Sequence, residues 1–111
     1  MISQRDIILL EFPFSNLKQT KIRPVIVLSN SKYNSRSEDI VVVPLTTNLT
    51  RDEHDVLITN EQLEKGHLIT DSKVKIDRIF SVHRKLVTLK IGKISKQTHS
   101  SIIKILFDLV K

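Results

Sequence analysis

The 111-residue chain has no cysteine, which excludes a disulfide framework, a thiolate nucleophile and a cysteine-ligated zinc. No apolar run approaches the length that a bilayer span needs, so no membrane contact is expected. The opening Met1-Ile2-Ser3-Gln4-Arg5-Asp6 lacks a basic stretch followed by an apolar segment and a cleavage site, so it does not read as a signal peptide. These absences predict a soluble, cytoplasmic protein. His54, His67, His83 and His99 show no short ligand spacing such as i, i+4, and neither a metal site nor a cofactor is expected.

What is present fits one small domain over residues 1–111. Apolar residues form 40% of the chain, enough for one modest core, and charged residues form 27%, enough to solvate its surface. The net charge of +6 is unevenly spread. Residues 1–72 carry 8 basic and 10 acidic side chains, whereas residues 73–111 carry 10 basic and 2 acidic ones. This asymmetry favours an anionic partner, nucleic acid or an acidic protein segment, over a neutral one, although a merely solvated basic surface has the same signature.

Hydrophobic periodicity predicts a mainly β chain closed by a helix. Residues 6–12 form an apolar run bounded by polar residues and read as a buried strand ending at Pro13. Residues 15–22 read as a polar, basic loop with Lys18 and Lys21, and its lack of glycine predicts stiffness. A second strand is expected over 24–29, with Pro24 at its first position, where a missing donor is tolerated. Residues 30–39 are strongly polar and read as a loop. A third strand is expected over 40–45, stopped by Pro44 and the turn signal Thr46-Thr47-Asn48.

A short strand at 56–59 and one helical turn within 60–65, before Gly66, follow. Val74 and Ile76 alternate with Lys73 and Lys75, the pattern of a half-exposed strand. Ser95 can cap a helix expected over about 96–110, where His99, Ile102, Ile103, Leu106, Leu109 and Val110 recur at helical spacing. Several short strands and a terminal helix suggest a small barrel with a helix packed on it.

One geometric inference points to chemistry. If the second and third strands form a hairpin about Asn34, opposing residue numbers sum to about 69. Arg23 then lies near Thr46 at the open end, with Thr47 and Asn48 beside them. A guanidinium, two hydroxyls and an amide in one place can bind a phosphodiester. The same residues are also ordinary strand-start and turn chemistry.

Several segments resemble the MazF/PemK toxin family. They are Ile22-Arg23-Pro24-Val25-Ile26-Val27-Leu28-Ser29, then Val43-Pro44-Leu45-Thr46-Thr47-Asn48 at similar distance, and the opening Arg5-Asp6-Ile7 through Phe12. Val74 through Arg84 resembles the family's last long strand and turn, and Ile91-Gly92-Lys93-Ile94-Ser95 precedes a helix as it does there. Each motif is weak alone; five in order across essentially the whole chain are specific.

The resemblance implies an SH3-like small β-barrel with a C-terminal helix, usually a homodimer. It implies a toxin that cleaves single-stranded RNA without metal and is held inactive by a cognate acidic antitoxin. Carried over by position, Arg23 and Thr46 would be catalytic. The ribose 2′-hydroxyl would attack the adjacent phosphorus and leave a 2′,3′-cyclic phosphate. Asp77 is a candidate accessory base, or else a partner in an ion pair with Arg78. Lys18, Lys21, Thr47, Asn48 and Arg78 are candidate RNA contacts. His83 is a further candidate by its ordinary pKa, or else a surface turn residue.

One departure concerns the first motif. The family usually has glycine before the first-strand Asp, where this chain has Arg5. The rival reading is a non-catalytic barrel that binds nucleic acid or poisons a protein target such as DNA gyrase. Against a gyrase poison, the end Phe107-Asp108-Leu109-Val110-Lys111 lacks Trp and Gly.

Overall fold

The computed structural model describes residues 1–13, 20–50 and 54–111. The expected architecture is the one found, a mainly β barrel-like sheet with a C-terminal helix. The chain runs β1 (Asp6–Pro13), β2 (Thr20–Val27), α1 (Ser31–Arg36), β3 (Asp39–Thr46), β4 (Asp55–Ile58), β5 (Leu63–Gly66), β6 (Ser72–Lys75), β7 (Phe80–His83), β8 (Val87–Ile94) and α2 (Lys96–Val110). Spatially the strands follow the order β4-β6-β3-β2-β1-β8-β5, with β7 also paired to β3. Every described pairing is antiparallel.

The near-continuous apolar runs of β1 to β3 are explained by burial on both faces. Ile7, Ile26, Leu28, Val43 and Leu45 point into one cluster, which α2 covers with Ile102. Ile8, Leu10, Val25, Val27, Ile40 and Val42 point the other way into a second cluster with Val82. Strand alternation thus divides each run between two cores.

The hairpin register follows the arithmetic read from the sequence. Val25 faces Pro44, Ile26 faces Val43 and Val27 faces Val42. Both prolines, however, lie inside strands rather than at their limits. Residues 20–22, assigned above to a loop, already belong to β2, and Pro24 pairs with Leu9. Pairing with β3 begins only at Val25, which leaves the Pro24 ring on an open margin. Pro44 falls where β3 changes partners, since β7 pairs with residues 39–42 and β6 with residues 45 and 46. A missing N–H breaks no ladder there.

Three other segments differ from expectation. Residues 31–36 form α1, because the Asn30 side chain accepts from the Tyr33 amide and caps a turn. The short helix is fixed from outside by Arg84, which donates to the Asn34 and Ser37 carbonyls. Where a long strand and turn are expected over 74–84, two four-residue strands, β6 and β7, are separated by a 3₁₀ turn at Ile76–Arg78. The long strand lies later, at β8, where Thr88, Leu89 and Lys90 are all exposed and no alternation signals it.

Helix α2 spans the expected residues, with Ser95 accepting from the Thr98 amide. Its apolar stripe is only partly used, since Ile102 is buried while Ile103, Phe107, Leu109 and Val110 are exposed. The chain's two glycines pair across β5 and β8. Gly66 adopts φ +83°, and a Cβ there would lie 2.2 Å from the Ile91 carbonyl oxygen. No helix among the described residues is long and apolar enough to cross a membrane.

Candidate nucleic-acid interface

A groove of about 400 Å³ opens at the end of the β2–β3 hairpin, lined by Arg23, Val25, Pro44, Leu45, Thr46, Lys75, Arg78 and Phe80. Of these, Val25 and Leu45 are buried, and the Val25 side chain points to the same face of the sheet as the groove. Alternation along β2 places Arg23 on the Val25 side, and β3 delivers Thr46 from the opposite strand. The 3₁₀ turn after β6 brings Arg78, and β7 begins with Phe80. Arg23, Lys75 and Arg78 put three cations on the walls, and no carboxylate lines them. None of the three forms an ion pair with another described residue.

Thr46 has a defined hydroxyl geometry. Its Oγ1 accepts from the Asn48 amide at 3.2 Å, so the hydroxyl proton remains available to a ligand oxygen. The turn behind it is held firmly. Asn48 Oδ1 accepts from both the amide and hydroxyl of Thr50, at 3.1 and 2.8 Å. The Thr50 carbonyl accepts in turn from Lys73 Nζ, which also lies 2.7 Å from Asp55 Oδ2. Lys73 is buried, contrary to the half-exposed reading of β6, because this carboxylate and carbonyl neutralise its charge inside the sheet.

Of the residues singled out in the sequence, Arg23, Thr46 and Arg78 meet in the groove. Lys21 lies two residues along β2 from Arg23, on the same side of the strand but outside the lining. Thr47 and Asn48 are exposed in the adjoining turn, and the Asn48 amide oxygen is occupied in bracing it. Lys18 lies outside the described residues. Asp77 is exposed on the 3₁₀ turn, does not line the groove, and forms no ion pair with Arg78.

His83 lies three residues along β7 from Phe80, roughly 10 Å away. Its Nδ1 accepts from the Lys85 amide and its Nε2 is 3.5 Å from Glu38, so it caps a turn at the far end of that strand. Lys75 and Phe80 are lining residues that sequence reading missed. Their signal appears only once the β3–β6 register, Leu45 to Val74 and Thr46 to Lys73, is known. Among the described residues, no three His, Asp or Glu side chains gather as a metal site would require.

The family model described as PemK-like, MazF-like toxin of type II toxin-antitoxin system matches residues 3–108. The chain belongs to that family. No curated protein matches the sequence significantly. The MazF/PemK fold is also evident from solved structures. The chain is similar to a MazE-MazF structure (Form-III) from Deinococcus radiodurans at TM-score 0.82 and 16% identity, covering 98% of this chain and 95% of that one. An endoribonuclease from a mycobacterial species, in complex with its cognate antitoxin, matches at TM-score 0.75 and 16% identity, covering 97% and 93%. The Mycobacterium tuberculosis toxin MazF-mt6 matches at TM-score 0.70 and 17% identity, covering 91% and 93%. At these identities the likeness establishes the barrel; side-chain roles must come from this chain's own groove.

Proposed function

We propose that this MazF/PemK family toxin is a metal-independent endoribonuclease that cleaves single-stranded RNA in the cytoplasm by attack of the ribose 2′-hydroxyl. The observation that carries the reading is the convergence of Arg23, Thr46, Lys75 and Arg78 in one carboxylate-free groove. A phosphodiester there would face three cations and one free hydroxyl donor. As the 2′-oxygen bonds to phosphorus, negative charge grows on the non-bridging oxygens. The Arg23 guanidinium would stabilise that charge and Thr46 would donate to one of the oxygens. The P–O5′ bond then breaks; the 2′-hydroxyl gives up one proton and the leaving 5′-oxygen takes one up, so that a 2′,3′-cyclic phosphate and a free 5′-hydroxyl result. Phe80 offers a partly buried ring at the groove wall on which a base can stack.

The nucleophile in this scheme belongs to the substrate, so cleavage is expected to persist in excess EDTA. RNA carrying 2′-O-methyl at the scissile position, and single-stranded DNA, should stay intact. Product ends resolved by mass spectrometry test this directly. Cleaved DNA, or 5′-phosphate ends, would instead indicate an activated-water nuclease. A protein that binds RNA without cutting it would support the non-catalytic reading.

The partners follow from the same groove. An acidic antitoxin segment laid across Arg23, Lys75 and Arg78 would occupy the phosphate positions and inhibit by competition. The exposed Ile103 and Phe107 on the outer side of α2 supply apolar surface for a second copy, in keeping with a homodimer. Light scattering should therefore give twice the chain mass. A labelled, uncleavable RNA should be displaced by the acidic product of a neighbouring small reading frame, with weaker displacement at high salt. Simultaneous binding of both ligands would exclude groove blockage.

A further inference from the structure

A second cavity, of about 490 Å³, lies outside the catalytic groove, where the lead-in to β1 meets the start of α2. Its walls are Ser3, Gln4, Arg5, Ser31, Lys93, Lys96, His99 and Ser100. Three are cations and three carry hydroxyls, and no carboxylate is among them. None of the proposed catalytic residues is shared with it.

Arg5 occupies this cavity at a conformational cost. Its φ is +77°, the left-handed region that glycine adopts freely and other side chains seldom do. Such a conformation disfavours a residue with a Cβ, which crowds the following carbonyl oxygen. The chain nevertheless holds a long cationic side chain there. Nη1 of Arg5 is fixed by Glu64 at 3.0 Å and the Ile94 carbonyl at 2.9 Å, and its other donors have no partner among the described residues.

Lys93 lies 3.4 Å from the buried Asp6, but Lys90 reaches the same carboxylate at 3.0 Å. One negative charge is thus shared by two ammonium groups, and a surplus of positive charge remains. Lys96, at the first turn of α2, forms no ion pair with any described residue. The Nδ1 of His99 is buried without a hydrogen-bond partner among the described residues.

We propose that this cavity is a phosphate-binding site separate from the Arg23–Thr46 groove. Arg5, Lys93 and Lys96 offset the anion's charge, and Ser3, Ser31 and Ser100 donate to its oxygens. Three cations and three hydroxyls offer more charge and more donors than one carboxylate can use. They suit a phosphate group, which has four oxygens when its ester oxygens are included and, as a terminal phosphate, a charge of up to about −2. The source is either a backbone phosphodiester of a nucleic-acid strand or the terminal phosphate of a nucleotide. The inference does not depend on RNA cleavage.

Burial, and next to it the Arg5 guanidinium, hold the His99 imidazole below its ordinary pKa. The charged groups around it are Arg5, Lys93 and Lys96, with Lys104 farther along α2 and Glu64 behind Arg5. A bound dianion would reverse the balance and raise the His99 pKa.

The test is a nuclear magnetic resonance titration of the full chain at constant ionic strength, using inorganic phosphate. Saturable shifts are expected at Arg5, Ser31, Lys96 and Ser100, together with an upward displacement of the His99 titration. Lys96→Gln should weaken these shifts about tenfold, the loss typical of one charge-assisted hydrogen bond, while leaving those at Thr46 unchanged. A 5′-mononucleotide and a deoxyoligonucleotide without terminal phosphates separate the two sources, and binding of either supports the site. Non-saturating shifts, equal binding by Lys96→Gln, or acetate binding as tightly as phosphate would overturn it.

Discussion

Arg23→Ala is expected to lower RNA cleavage by about 10²–10³-fold, the usual consequence of removing one preorganised contact to a developing oxyanion. The fold should be unaffected. Arg23 is exposed, and its side chain forms no ion pair or hydrogen bond with another described residue, so its loss should change stability by no more than about 0.5 kcal/mol. Arg23→Lys should recover only part of the rate, because a point charge does not reproduce a planar fork of donors. Thr46→Ser should stay close to wild type, whereas Thr46→Val removes the hydroxyl donor and the acceptor for the Asn48 amide together. Single-turnover cleavage of a short RNA, with a thermal melt of each variant, reads both quantities. A folded Arg23→Ala protein that cuts at the wild-type rate would remove the proposed mechanism.

The largest effect on stability is expected from Asp55→Ala. Lys73 and Asp55 lie 2.7 Å apart, with side chains 8% and 6% exposed. Removing the carboxylate strands an ammonium inside the sheet, at a cost of about 3–5 kcal/mol. Replacing both partners, as in Asp55→Ala combined with Lys73→Met, should cost much less, because no buried charge is left behind. Urea unfolding of the single and double variants gives the comparison. A double variant no more stable than Asp55→Ala alone would show that packing, rather than unpaired charge, dominates. The pair also holds the Thr50 carbonyl behind the turn that carries Thr46. The single variant should therefore lose cleavage activity under conditions where it remains folded.

These residues show where sequence reasoning reaches and where it stops. The β2–β3 register was legible because two apolar runs flank one polar segment, and counting alone puts Arg23 opposite Thr46. That held although the polar segment contains α1, since a helix there does not change the register of the strands it joins. The bounds of α2 were legible from Ser95 and the helical spacing after it. Strand β8 was not, because Val87–Ile94 has exposed Thr88, Leu89 and Lys90 where a strand would show alternation.

Lys73 misled for a different reason. A lysine at the alternate position to Val74 and Ile76 reads as solvent-facing, and only the approach of β4 shows that Asp55 meets it. Arg78 could be selected from the sequence by charge and position. Lys75 and Phe80 could not, because the strand pairings and the 3₁₀ turn that bring them to the groove come from residues distant in sequence.

The pairing of β1 with β8 sets a condition on when the toxin can exist. Asp6 lies opposite Lys93, so the central sheet joins the first strand to one near the far end of the sequence. Closing so long a loop carries an entropic cost before any contact offsets it, and folds rich in such contacts are slow to form. During synthesis at about 5–20 residues per second, β1 must wait several seconds for its partner to leave the ribosome. The hairpin bearing Arg23 and Thr46 emerges much earlier, but its neighbouring edge stays unpaired and Arg78 has yet to follow. The groove is thus completed only once Arg78 and β8 have been translated, and on the proposed function cleavage is expected only after that point.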